Sequence, residues 1–152
     1  MSRAPVVIPL RQRALRLLAA REHSRSELAR KLGPHAESPE ELEALLDDLE
    51  QRKQLSNTRF AEARSSLLGR KFGSARIAYD LRTKGVSAED ASVAVSTARD
   101  SDLERARAVW TRKFRTAPAT REERAKQTRF LQSRGFSFDV IRAVLSGDEG
   151  EE

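Results

Sequence analysis

Residues 131–137 read Leu131-Gln132-Ser133-Arg134-Gly135-Phe136-Ser137, and the same phrase stands twice upstream. The earlier copies are Leu18-Ala19-Ala20-Arg21-Glu22-His23-Ser24 and Leu81-Arg82-Thr83-Lys84-Gly85-Val86-Ser87. Each has a Leu three residues before a cation and a Ser three residues after it. Apolar side chains then follow the Ser by four and by eight: Leu28 and Leu32, Ala91 and Val95, Ile141 and Leu145. No copy needs a gap. The phrase describes a helix end, a tight turn and a helix start. Gly85 and Gly135 suit a left-handed C′ position, the Ser can cap the next helix, and the cation complements the preceding helix dipole. Glu22 replaces the glycine in the first copy, so that turn is expected to differ. Copies 63 and then 50 residues apart imply a row of similar helical units. Such rows present a long surface to a long partner and are seldom built around one pocket.

Outward from the phrase, helix starts are marked by Ser or Thr with Glu three residues on: Ser24–Glu27, Ser38–Glu41, Ser101–Glu104 and Thr120–Glu123. Ser87 and Ser137 are weaker versions, and Asn57 and Ser74 are further candidate caps. Stops fall at Gly33-Pro34, Gly73, Gly85 and Gly135. Between these marks apolar residues recur at helical spacing, as in Leu42, Leu45, Leu46 and Leu49, and no segment alternates as a strand. The pattern predicts an all-α chain of about nine helices, at 10–22, 24–33, 39–54, 57–71, 74–84, 87–98, 101–115, 120–134 and 137–146. Grouped in threes, they form tandem three-helix repeats at 10–56, 57–100 and 101–147, an elongated and curved array. Residues 148–152 read as a disordered acidic tail.

Of 152 residues, 38% are hydrophobic and 34% charged, which suits several small cores better than one large one. Without cysteine there are no disulfides, which fits a reducing cytoplasm. The first ten residues lack the apolar stretch of about 7–15 residues of a secretory signal. No run approaches the roughly 18 residues of a membrane span. The net charge of +6 understates the basic surface, because the tail holds Asp148, Glu149, Glu151 and Glu152. Charge is also segregated. Glu37 to Glu50 holds seven acids and no base, whereas Arg105 to Arg134 holds ten bases against Glu122 and Glu123. That asymmetry points to a polyanionic partner or an acidic protein groove.

No catalytic constellation is present. His23 and His35 fit no metal-ligand spacing, and neither GxxxxGK[ST] nor GxGxxG occurs, so no enzyme activity and no cofactor are expected. His23 fills the slot of Val86 and Phe136 and reads as a packed histidine. Trp110 and Phe114, four apart on one stripe, read as core rather than as stacking platforms for bases. The candidate contacts are basic: Arg76, Arg82, Lys84, Arg105, Arg107, Arg112, Lys113, Arg129 and Arg134. Long cations fanned around residues 105–115 can follow a phosphate backbone. A rival reading takes residues 24–46 as a helix-turn-helix transcriptional regulator. The would-be recognition helix is acidic, and the text after Leu55 is helical where a wing hairpin should begin.

Three stretches resemble the RecX family. They are Arg13-Ala-Leu-Arg-Leu-Leu with Arg21 to Leu32; Asn57-Thr-Arg-Phe-Ala with Phe72-Gly-Ser-Ala-Arg-Ile and the second phrase; and Arg129-Phe-Leu-Gln-Ser-Arg-Gly-Phe-Ser-Phe-Asp-Val-Ile-Arg-Ala-Val-Leu. Thr58 departs from the pattern, where the family often has an acid. The resemblance covers residues 11–146. It implies a cytoplasmic monomer that lies in the groove of the RecA–DNA filament and dampens RecA ATPase, recombination and coprotease activities. It also implies binding to single- and double-stranded DNA without strong sequence preference.

Overall fold

A computed structural model describes residues 7–147, so the acidic tail lies outside the described residues. Within them nine α-helices and no strand are found. In chain order they are α1 (Leu10–Ala20), α2 (Arg25–Leu32), α3 (Pro39–Gln51), α4 (Asn57–Leu68), α5 (Ser74–Thr83), α6 (Ala88–Asp100), α7 (Asp102–Lys113), α8 (Arg121–Ser133) and α9 (Phe138–Leu145). A 3-10 turn, Gly33–His35, follows α2.

The apolar positions of the threefold phrase become three separate cores. Leu28, Leu32, Leu46, Leu49 and Leu55 fill the first, and Ile77, Leu81, Val86 and Ala91 belong to the second. Leu131, Phe136, Ile141 and Leu145 belong to the third. The slot shared by His23, Val86 and Phe136 is buried in all three, at 1%, 4% and 3% exposure. His23 is held there as a neutral ring, because burial pushes its imidazole below the usual range. Lys31 Nζ donates to Nε2 at 3.0 Å, which leaves Nδ1 to donate to Arg21 O, also at 3.0 Å.

Five of the expected caps form as read. Ser24, Ser38, Ser87, Thr120 and Ser137 each accept from the backbone N–H three residues on. Three expected caps do not. Only Ser101 separates α6 from α7, and its φ of −100° and ψ of 4° are not the extended backbone that a cap needs. Its hydroxyl turns back to Ala98 O instead, at 3.1 Å. Ser56 takes the place expected for Asn57, and Gly73 that of Ser74. Glu27 also departs from the reciprocal box: it receives both Arg21 guanidinium donors, at 2.9 and 2.8 Å, with Arg21 in extended backbone past the end of α1. Gly85 and Gly135 take the left-handed φ of 80° and 92° that the turn requires.

The displaced candidate caps serve the joints between helix groups. At the first joint Ser24 Oγ, at the start of α2, donates to Lys84 O at the end of α5, 2.8 Å away. Arg25 N donates to Asn57 Oδ1 at 2.8 Å. At the second joint Gly73 N, at the start of α5, donates to Arg134 O at the end of α8, 2.7 Å away. Ser74 N donates to Asp102 Oδ1 at 3.0 Å. In both places the middle helix of one group begins where the middle helix of the next one ends, and the first residue of that next group's first helix, Asn57 of α4 or Asp102 of α7, supplies an acceptor. The C′ glycines permit the approach. A Cβ on Gly85 would lie 2.5 Å from Ser26 Cβ, and one on Gly135 would lie 2.7 Å from Arg76 N.

The charge segregation of the sequence is partly cancelled by folding. Arg25 contacts Glu43, Asp47 and Glu50 along α3, while Arg11 and Arg52 share Asp48. The most acidic helix is therefore matched by bases of its own group. Residues 57–68, where a wing hairpin would begin, form α4.

Candidate functional site

The two joints share one construction and differ in charge. At the first, Glu27 stands three residues into α2 from its cap and Asp80 stands four residues before Lys84. Glu27 pairs with Arg21; Asp80 pairs with Arg64 at 2.8 Å and Lys84 at 3.5 Å. The hydrogen bonds from Arg21 and Arg64 hold these two carboxyls below the usual carboxylate range. At the second joint the corresponding positions hold Arg76 and Phe130. A carboxylate is replaced by a cation, and another by an aromatic ring.

The result is an alternating stack of cations and rings. Arg76 lies over Phe72 with 4.9 Å to the ring centroid, and Arg134 over the same ring at 5.5 Å. Arg134 also lies over Phe130 at 5.1 Å, and Lys113 over Phe130 at 5.6 Å. Phe114 meets Phe130 edge-on, at 5.4 Å and 86°. Beside the stack a hollow of about 270 Å³ is lined by Lys71, Val109, Arg112, Lys113, Phe130 and Arg134. The first joint has a hollow of nearly the same size, about 260 Å³, whose lining includes Glu22 and Glu27. The lining of the second holds no acid. Among the described residues none of Lys71, Arg76, Arg112, Lys113 and Arg134 is in an ion pair.

Of the sequence-selected bases, folding brings together Arg76, Arg112, Lys113 and Arg134. Arg112 is steadied by donating to Arg70 O at 2.6 Å. Arg105 has a different task. Its guanidinium donates to Gly69 O at 3.1 Å, Ala98 O at 2.8 Å and Ser101 Oγ at 2.9 Å, and further to Phe72 O and Asp102 Oδ1. With its side chain 18% exposed, it staples the second joint from inside. Arg107 is half-buried on α7. Lys84 belongs to the neutralised first joint, Arg82 lies over the exposed Tyr79 at 5.9 Å, and Arg129 is exposed on α8. Sequence reasoning missed Lys71 and the rings of Phe72 and Phe130. The run Arg70-Lys71-Phe72-Gly73, two bases and an aromatic before the joint glycine, carried the signal. Trp110 is half-buried against the third core and donates to Gln127 Oε1 at 2.8 Å.

Among the described residues no group of His, Cys, Asp or Glu is arranged to hold a metal, and no helix is long and apolar enough to cross a membrane. Three helical groups in a row, with cations gathered at one joint, define a tandem helical-repeat protein. The family model described as RecX, third three-helix domain, matches residues 100–145, and that for RecX, first three-helix domain, matches residues 11–49. The regulatory protein RecX of Leptothrix cholodnii is 51% identical over 138 residues, covering 91% of this chain and 88% of its own. That of Ralstonia nicotianae is 45% identical over 150 residues, with 95% and 94% covered. The chain belongs to the RecX family of regulatory proteins. The crystal structure of RecX from Lactobacillus salivarius superimposes with a TM-score of 0.79 over 91% of this chain and 93% of that one, at 19% identity, and so shares the fold.

Proposed function

We propose that this protein restrains the RecA recombinase by lying on the RecA–DNA filament as a cytoplasmic monomer, with the second joint as its polyanion contact. On this reading it slows RecA ATPase, strand exchange and coprotease activity, and holds single- or double-stranded DNA without strong sequence preference. The observation that carries the contact is the difference between two equivalent joints, one neutralised by Glu27 and Asp80 and the other left cationic. Uncompensated cations held in one place attract phosphates and release counterions on binding.

The test is RecA ATPase on single-stranded DNA with increasing amounts of this protein. Inhibition near stoichiometric ratios is expected, and weaker inhibition by a variant with Arg76, Arg112, Lys113 and Arg134 all replaced by Gln. No inhibition by the unaltered protein would remove the reading. Equal inhibition by the folded variant would move the contact away from the second joint.

A further inference from the structure

We infer that the second joint reads the phosphodiester backbone and not the bases, its aromatic rings serving as rests for cations. The inference builds on the nucleic-acid contact proposed above and specifies its chemistry. Basic patches interleaved with aromatics ordinarily suggest stacking of single-stranded bases on open ring faces. Here the rings are already occupied. Phe72 carries Arg76 and Arg134, and Phe130 carries Arg134 and Lys113. Each ring thus has two cations within 5.6 Å of its centroid. Phe114 packs edge-on against Phe130, and both Phe72 and Phe130 are half-buried. A base stacking on either ring has to compete with a guanidinium or ammonium, the very group that draws the strand in.

The geometry favours phosphate for two more reasons. A guanidinium lying over a ring presents N–H donors at its edge that can fork onto phosphate oxygens, and Arg76 spends only one of its own, on Ser133 O at 3.3 Å. The adjoining hollow of about 270 Å³ has Lys71, Arg112, Lys113 and Arg134 in its lining and no acid, a shape and charge for one phosphate group with its waters.

The experiment compares binding of the full chain to an oligodeoxynucleotide and to an abasic strand of equal length and charge, across a range of salt. Equal affinity, within about twofold, is expected. A stacked base contributes roughly 1–3 kcal/mol, so base reading would weaken the abasic strand by about 5- to 150-fold per base lost. Exposed Lys113 gives a variant that keeps the fold. Lys113→Gln should lower the salt slope by about 0.7 on both strands alike. Tenfold or weaker binding of the abasic strand overturns this inference alone. A Lys113→Gln effect confined to the base-bearing strand also overturns it. Absence of binding to either strand would remove the nucleic-acid contact beneath it.

Discussion

Replacing Asp102 with Ala should destabilise the chain by about 3 kcal/mol, although Asp102 lies in no hydrophobic core. Its residue is 4% exposed, and its carboxylate accepts from Ser74 N at 3.0 Å, from Ser74 Oγ and from Arg105 Nη2. Removing one partner of a buried ion pair costs about 3–5 kcal/mol when the remaining charge is stranded. Arg105 is not stranded, because Gly69 O, Phe72 O, Ala98 O and Ser101 Oγ still receive it. Its share of the loss is therefore that of one charge-assisted hydrogen bond, about 1.5 kcal/mol. Ser74, 8% exposed, loses the acceptor for its N–H and hydroxyl, which adds about 1–3 kcal/mol. For a chain of this size 3 kcal/mol corresponds to a fall in Tm of about 6–12 °C. Asp102→Asn keeps one carbonyl acceptor for Ser74 N and should lose about half as much. Thermal unfolding followed by far-ultraviolet circular dichroism, with the fluorescence of the single Trp110 reporting the third group, measures both. A loss below about 1 kcal/mol for Asp102→Ala would refute the view that this carboxylate clamps the joint.

Gly135→Ala meets a left-handed φ and a Cβ 2.5 Å from Arg76 Cβ, so unfolding studies should show a loss of at least about 2 kcal/mol. Gly33→Ala, with a φ of −50° and nothing within 4 Å of the new Cβ, should be neutral or stabilise by up to about 1 kcal/mol. Arg105→Gln and Arg112→Gln should separate stability from binding: the first costs about 2–3 kcal/mol with Tm as readout, and the second stays within about 0.5 kcal/mol while weakening polyanion affinity. His23 is held neutral, so its folded pKa lies below the unfolded value of about 6.5 and the unfolded chain takes up more protons between the two. Its contribution is present above about pH 6.5 and is lost as pH falls through that window. Stability measured from pH 7.5 to 5.5 should decline less in His23→Phe, which copies the side chain of Phe136. The carboxyls of Glu27 and Asp80 do not confuse that comparison, since their lowered values place their loss below the usual carboxylate range.

What sequence could reveal here was set by the reach of each interaction. Ser24, Ser38, Ser87, Thr120 and Ser137 cap backbone three residues away, so both partners stand in one short stretch of text. Asn57 and Asp102 also bond helix starts, but those starts lie 32 and 28 residues upstream, and only the folded joints bring them together. The same limit separated Arg105 from Arg112. Both are arginines on α7, yet five acceptors from α6, Ser101, α7 and the segment following α4 close around the first, while the second reaches only backbone carbonyls at the surface. Periodicity carried the helices well, apart from ends that differ by up to three residues: α3 stops at Gln51 and α4 at Leu68, while α6 continues to Asp100. The cationic site was half legible. Charge density pointed to residues 105–134, but the contrast between joints needs Glu27 to be seen as the counterpart of Arg76.

Ser24, Asn57 and Gly85 do for the first joint what Gly73, Asp102 and Gly135 do for the second, so one joint construction serves twice along the chain. A joint that is reused in this way lets a group be added without a new kind of contact. The length of such a chain is then set by how often the joint recurs, and a fourth group begun with the same three contacts would dock on the third as the third docks on the second.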